Sequence, residues 1–182
     1  MDLIYTNSKM EDLGVLQDYE LDLAFGADEN NLECKVQAGS HCCESGSLLY
    51  MEGTEYGGII DSVEVDTEQQ TVVYSGRTWH GILSGHVIQP DIGFDYYVAE
   101  GDANAIIADI IARLGLEDIF TVSAEASDIE INKYKFARYT DAYSGICAML
   151  ADFDGKLKME HRVDTIVLSA VWRMDFSKDE EW

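Results

Sequence analysis

The chain reads as an α+β fold, an antiparallel β-barrel-like N-terminal half followed by a small α/β half with two helices. Three observations predict this. Short apolar runs with period-two alternation and closely spaced turn signals fill the first half. Apolar stripes with helical period appear only later. Strand-like runs flank those helices, in the order strand, helix, strand, strand, helix, strand, which is an α+β layer. A boundary near Pro90–Gly101 gives two expected domains: 1–95, barrel-like, and 96–182, α+β with a polar tail.

Leu3-Ile4-Tyr5 opens as a short strand. Tyr19, Leu21, Leu23 and Phe25 alternate with polar or small residues, the pattern of a half-buried strand. Gly26 to Asn31 reads as a turn, Leu32–Val36 as a strand, Ser40–Gly46 as a loop and Leu48–Met51 as a strand. Tyr56–Val65 and Thr71–Tyr74 form a hairpin around Asp66–Gln70, with a bulge or bend expected at Gly57-Gly58. Ser75–Trp79 is expected to turn sharply, and Ile82–Gly85 to make a short helical turn.

Beyond Pro90 the period changes. Ile106, Ile107, Ile110, Ile111 and Leu114 form a helical stripe, with Asp102 placed to cap its start and Gly115 to stop it. Phe120–Val122 and Ile129–Tyr139 look like strands. Thr140 is the expected cap of a second helix carrying Tyr143, Ile146, Cys147, Leu150 and Phe153, which ends near Gly155. Leu157–Met159 and Thr165–Val171 complete the layer, and the polar segment Asp175–Trp182 is expected to be loose.

The 182 residues suffice for one large or two small domains, and 47% apolar with 26% charged residues is a globular mix. The charge is the outlier. Thirty-five acidic against twelve basic residues leave −23. Such a field repels nucleic-acid phosphates and anionic membranes, so neither is an expected partner. The start, Met1–Gly14, has no basic and apolar regions of a signal peptide, and no apolar run of about 18 residues predicts a membrane span.

Motifs for chemistry are missing. No phosphate loop, nucleophile elbow or zinc-protease helix occurs. His80 and His86 flank a turn where one could serve as a base, but a lone histidine there is more often solvated or bonded to backbone. Glu64 and Asp66 share a strand face, a pairing that chance alone produces among so many acids. Asp28-Glu29-Asn30-Asn31 lacks the spacing of a calcium loop, and His41-Cys42-Cys43 lacks that of a zinc pair. The expectation is therefore no enzyme, no cofactor and no metal. Gly76, Arg77 and Trp79 are singled out as a structural corner. There a scarce cation can brace the turn against carbonyls or a carboxylate, or stack on the indole.

Gly58–Glu64, then Thr71–Leu83, then Val87–Pro90 resemble the N-terminal part of the tail-hub (baseplate hub) proteins of long-tailed phages and prophages. Ala103–Leu114, Tyr134–Leu150 and the ending from Leu168 resemble later segments of that family. The resemblance implies a structural part of the virion tail, prophage-encoded and made in the bacterial cytoplasm. Its partners would be tail tube, distal tail and tip proteins, and the full-length protein would form a trimer. Family hubs are longer, with a second barrel, so it also implies that this chain is a truncated or excised part of one. Two other classes compete. One is a non-viral acidic ligand- or protein-binding module. The other is a fragment of a cell-wall hydrolase, which needs a convergent polar cleft that the sequence does not supply.

Overall fold

The computed structural model describes residues 2–26, 29–39 and 43–173. The strands of the first half are β1 (Leu3–Thr6), β2 (Asp12–Leu16), β3 (Tyr19–Leu23), β4 (Asn31–Gln37), β5 (Leu48–Tyr50), β6 (Gly57–Asp66) and β7 (Thr71–Thr78). They pair in the order β2-β1-β5-β6-β7-β4-β3, every pair antiparallel.

That order makes the sheet curl. The strands β2 and β3 are opposite edges, yet only Gln17 and Asp18 separate them in the chain. Three Cα–Cα steps reach ~11 Å at most. The edges of a flat seven-stranded sheet would stand ~29 Å apart. Alternation of direction around the sheet also leaves β2 and β3 running the same way. They are therefore one strand bent at Asp18, whose φ is 54°. Its first part pairs with β1 and its second with β4. Leu3, Leu16, Leu32, Cys34, Val36, Leu49, Ile60, Val72 and Tyr74 all point into one buried cluster, the interior of this barrel-like sheet.

The chain then enters α1 (Trp79–Ser84), β8 (Val98–Asp102), α2 (Ala103–Leu114), β9 (Phe120–Val122), β10 (Glu130–Lys135), α3 (Ala142–Asp152), β11 (Gly155–Arg162) and β12 (Thr165–Trp172). Two sheets form here: β10-β8, antiparallel, and β11-β12-β9, in which β12 and β9 are parallel. Asp102 caps α2 through its carboxylate on the Asn104 N–H, and Gly115 ends it in the left-handed conformation with φ 66°. Asn104, buried on that helix, clamps the layer. Its Oδ1 accepts from the Ala170 N–H at 2.7 Å, and its Nδ2 donates to the Glu125 carbonyl at 2.9 Å.

The structure corrects several local readings. Asp141, not Thr140, caps α3, because its carboxylate reaches the Ser144 N–H. The hairpin bulge is at Asp61, between Ile60 and Ser62, rather than at Gly57-Gly58. No sharp turn breaks Ser75–Trp79. Strand β7 runs to Thr78 and passes directly into α1, a full helix from Trp79. The strand expected over Ile129–Tyr139 is only Glu130–Lys135, and β8 begins inside the segment read as a boundary. The tail Asp175–Trp182 lies outside the described residues. The larger core cluster takes Leu48, Tyr50, Trp79, Ile82, Leu83 and Ile88 from the first half and packs them with the second. A shared core therefore crosses residue 95.

Candidate assembly surfaces

The corner at Gly76–Trp79 joins the halves. Gly76 and Gly58 sit where β6 and β7 approach too closely for side chains. A Cβ on Gly76 would stand 1.9 Å from the Ile59 carbonyl oxygen, and one on Gly58 would stand 2.1 Å from that of Arg77. The bulge at Asp61 brings its carboxylate against Arg77. The guanidinium donates from Nε and from a terminal nitrogen, each at 2.7 Å, a two-pronged pair in a half-exposed position. Two residues on, Trp79 is fully buried. Thr78 caps α1, and its N–H and hydroxyl both donate to the Asn30 carbonyl, which ties the corner to the start of β4.

Two buried histidines complete the joint. His80 lies edge-on to Phe25 of the first half and Tyr143 of α3, with centroids 4.8 and 5.2 Å away. Burial holds its pKa down at about 4, so the ring is neutral. His161 of β11 stacks on Tyr50 at 3.6 Å, and its backbone exchanges hydrogen bonds with Gly53 and Thr54.

The residues considered for chemistry do not converge. His80 is enclosed by aromatic rings, and the Nδ1 of His86 bonds the Ile82 carbonyl. Glu64 and Asp66 are on the outer hairpin. Asp28, His41 and Cys42 lie outside the described residues. Asn30 spends its amide on Gly26 and its carbonyl on Thr78. Cys34 and Cys43 are buried thiols, and burial pushes Cys34 up to about 12, with Cys43 adding to the rise. Among the described residues no three His, Cys, Asp or Glu side chains cluster as metal ligands, and no helix is long and apolar enough to cross a membrane.

Two surfaces fit contacts with other chains. The first is the outer edge of β6. Strand β5 pairs with β6 only over Gly57–Ile59, and Ser47 and Gly46 continue as far as Ile60. From Ser62 to Asp66 that edge has no ladder partner among the described residues. Its Val63 and Val65 are exposed, although they stand opposite the buried Tyr74 and Val72. An uncovered edge of this kind is a template for an added strand.

The second surface is the loop after Pro90. Asp91-Ile92-Gly93-Phe94 is a turn closed by Phe94 N–H on the Asp91 carbonyl, and its tip is solvent-exposed. Arg113 holds Asp91 at 2.7 Å, Arg138 holds Asp95 at 3.1 Å, and Lys135 lies 3.5 Å over the Tyr96 ring. Sequence reasoning missed this surface. The signal available was an apolar pair, Ile92 and Phe94, in a loop that needs none.

A barrel-like sheet closed by one bent strand and joined to a two-helix layer defines the fold class, and solved tail proteins, two of them from prophages, share it. The prophage tail protein gp18 of Listeria monocytogenes EGD-e matches 95% of this chain and 51% of its own, at 12% identity and a TM-score of 0.57. The 43 kDa tail protein of prophage MuSo2 from Shewanella oneidensis matches 92% and 53%, at 11% identity and 0.58. The tail protein of Neisseria meningitidis MC58 matches 92% and 49%, at 13% identity and 0.59. The likeness is one of fold, and the chain spans about half the length of these structures. The sequence matches no family model and no curated protein.

Proposed function

We propose that the chain is a structural component of a phage or prophage tail, in the hub at the tail tip, and that its work is to bind neighbouring tail proteins without catalysis. The observation that carries this reading is the extent of the fold match. It runs through the barrel, the corner and the helical layer, over 92–95% of the chain, in three tail proteins from three organisms. The proposed partners are tube, distal tail and tip proteins, and the proposed assembly is a homotrimer of the full-length protein. The β6 edge supports the reading, since it offers backbone groups and two valines to an incoming strand.

The test is on particles. Virions are purified after prophage induction, their proteins are identified by mass spectrometry, and the chain is located by gold-labelled antibody. Label at the tail tip is expected. Absence from purified particles would overturn the tail role. Label along the tube would retain a tail role and remove the hub.

A further inference from the structure

We propose that the free edge of β6 binds an extended segment of a different protein, one in which apolar residues alternate with Lys or Arg, and that this segment joins the barrel as an added strand along Ser62–Asp66. The proposal deepens the tail reading and rests on it only in naming the owner of the segment as another tail protein.

The edge of β6 has two parts. Up to Ile60 it is covered: β5 pairs with Gly57–Ile59, the Ile60 N–H donates to the Ser47 carbonyl, and the Gly46 N–H donates to the Ile60 carbonyl. The bulge at Asp61 follows, and beyond it β6 pairs with β7 alone among the described residues. Every second residue of an antiparallel pair turns its N–H and C=O away from the neighbouring strand. Over Ser62–Asp66 those groups form an open ladder about 17 Å long. Ser62 to Val65 are exposed and Asp66 is half-buried.

The two faces of this edge differ. Val63 and Val65 stand opposite Tyr74 and Val72, on the face that lines the barrel, yet they are 40% and 57% exposed. A cleft of about 430 Å³ adjoins Val65 and is lined by Ala38, Gly39, Asp66, Thr67 and Gln70. Apolar side chains of an added strand on this face would cover both valines and reach the cleft. Free edges are ordinarily blunted by charge, and two valines on the barrel side do the opposite.

The outer face carries charge. By alternation Ser62, Glu64 and Asp66 lie on it. Glu64 makes no ion pair among the described residues. Asp66 steadies the hairpin loop through Oδ1 alone, which accepts from the Glu68 and Gln69 N–H groups. A residue across from Glu64 on an added strand would have its Cβ about 5 Å away, where an opposite charge is favoured and a like charge is not. The long-range field agrees, because residues 1–95 hold 18 acidic and 3 basic side chains and attract a cationic segment. The same field turns away a second copy, which brings −23 of its own.

Labelled peptides and the whole chain test this by fluorescence anisotropy. A peptide alternating Val with Lys should bind about tenfold more tightly than one alternating Val with Glu, and less tightly as salt rises. Glu64→Lys should shrink that preference. Scrambling the Val–Lys peptide, or methylating its backbone nitrogens, should abolish binding, because the first removes the alternation and the second the ladder donors. Hydrogen exchange with the Val–Lys peptide should show new protection within Ser62–Asp66 and none in β11. Equal binding of the Val–Glu, scrambled or methylated peptide would overturn the proposal. So would protection that falls away from β6, or no binding of the Val–Lys peptide at millimolar concentration. Failure here leaves the chain's presence in virions untouched. Absence from virions leaves peptide binding as measured and removes only the owner named for the segment.

Discussion

The two halves bury themselves differently. The barrel interior closes on a cluster of ten buried side chains, nine from its strands and Cys43 from a loop, whereas the cluster around the helices holds twenty-six among the described residues. Charge divides the other way. Residues 1–95 hold 18 acidic and 3 basic side chains, and residues 96–182 hold 17 and 9, so −15 of the −23 falls on the half with the smaller core. The barrel half is therefore both more repulsive and less buried, and it gives Trp79, Ile82 and Leu83 to the other core. The corner is thus the place where the first half depends on the second.

Removing Trp79 tests that dependence most severely. Trp79→Ala should cost about 3–5 kcal/mol, the range for a fully buried aromatic, measured by urea unfolding. Hydrogen exchange in the variant should show α2 and α3 losing protection together with α1. Loss confined to β4–β7 would mean that the indole serves the barrel alone, and the shared core would be the wrong description.

Sequence reading went far where a pattern is local. The alternation Tyr19–Leu23, the 106–114 stripe, the Asp102 cap and the Gly115 stop each depend on neighbours within a few residues, and each is found. It failed where distant chain segments decide. The bulge falls at Asp61, whose carboxylate meets Arg77 sixteen residues away. Gly57-Gly58 looks like a bend, but at Gly58 the glycine serves close backbone approach. The bent strand β2–β3 was half legible: Tyr19–Leu23 alternates cleanly, whereas Asp12–Leu16 carries exposed Leu13 and Val15. The loop surface was hidden for a similar reason, since Arg113 and Arg138 reach it from other elements.

Acid acts on the joint between the halves through His80. His80 bridges Phe25 and Tyr143, and its folded pKa of about 4 lies below the ordinary 6.5. The neutral ring thus contributes stability that is complete above pH 6.5 and is lost as pH falls toward 4, roughly 3 kcal/mol over that window. His161 moves in the same direction through burial, although Asp12, Glu52 and Asp164 oppose it. His80→Phe should flatten the pH dependence of the unfolding midpoint between pH 6.5 and 4. An unchanged slope would place the acid sensitivity elsewhere.

Asn104 probes the second half by itself. Asn104→Leu leaves the Ala170 N–H and Glu125 carbonyl without their side-chain partner, at a cost of about 1–3 kcal/mol. Exchange should rise at β12 and around residues 123–127, with the barrel unaffected. Equal loosening of the barrel would show that the two cores respond as one and erase the contrast drawn here.

The smallest effect belongs to the most conspicuous contact. Arg77 and Asp61 make a well-formed two-pronged pair, but both side chains are about two-fifths exposed. Water screens such a pair, and the ordering of two side chains offsets much of the attraction, so exposed pairs are worth about 0–1 kcal/mol. A double-mutant cycle with Arg77→Ala and Asp61→Ala should give a coupling in that range, shrinking further at high salt. Gly76→Ala, by contrast, pushes a methyl group onto the Ile59 carbonyl and should cost more than either charge deletion. If the cycle instead returned several kcal/mol, the corner would be held by charge rather than by backbone approach and the buried indole. The ranking that starts with Trp79 would then have to be reversed.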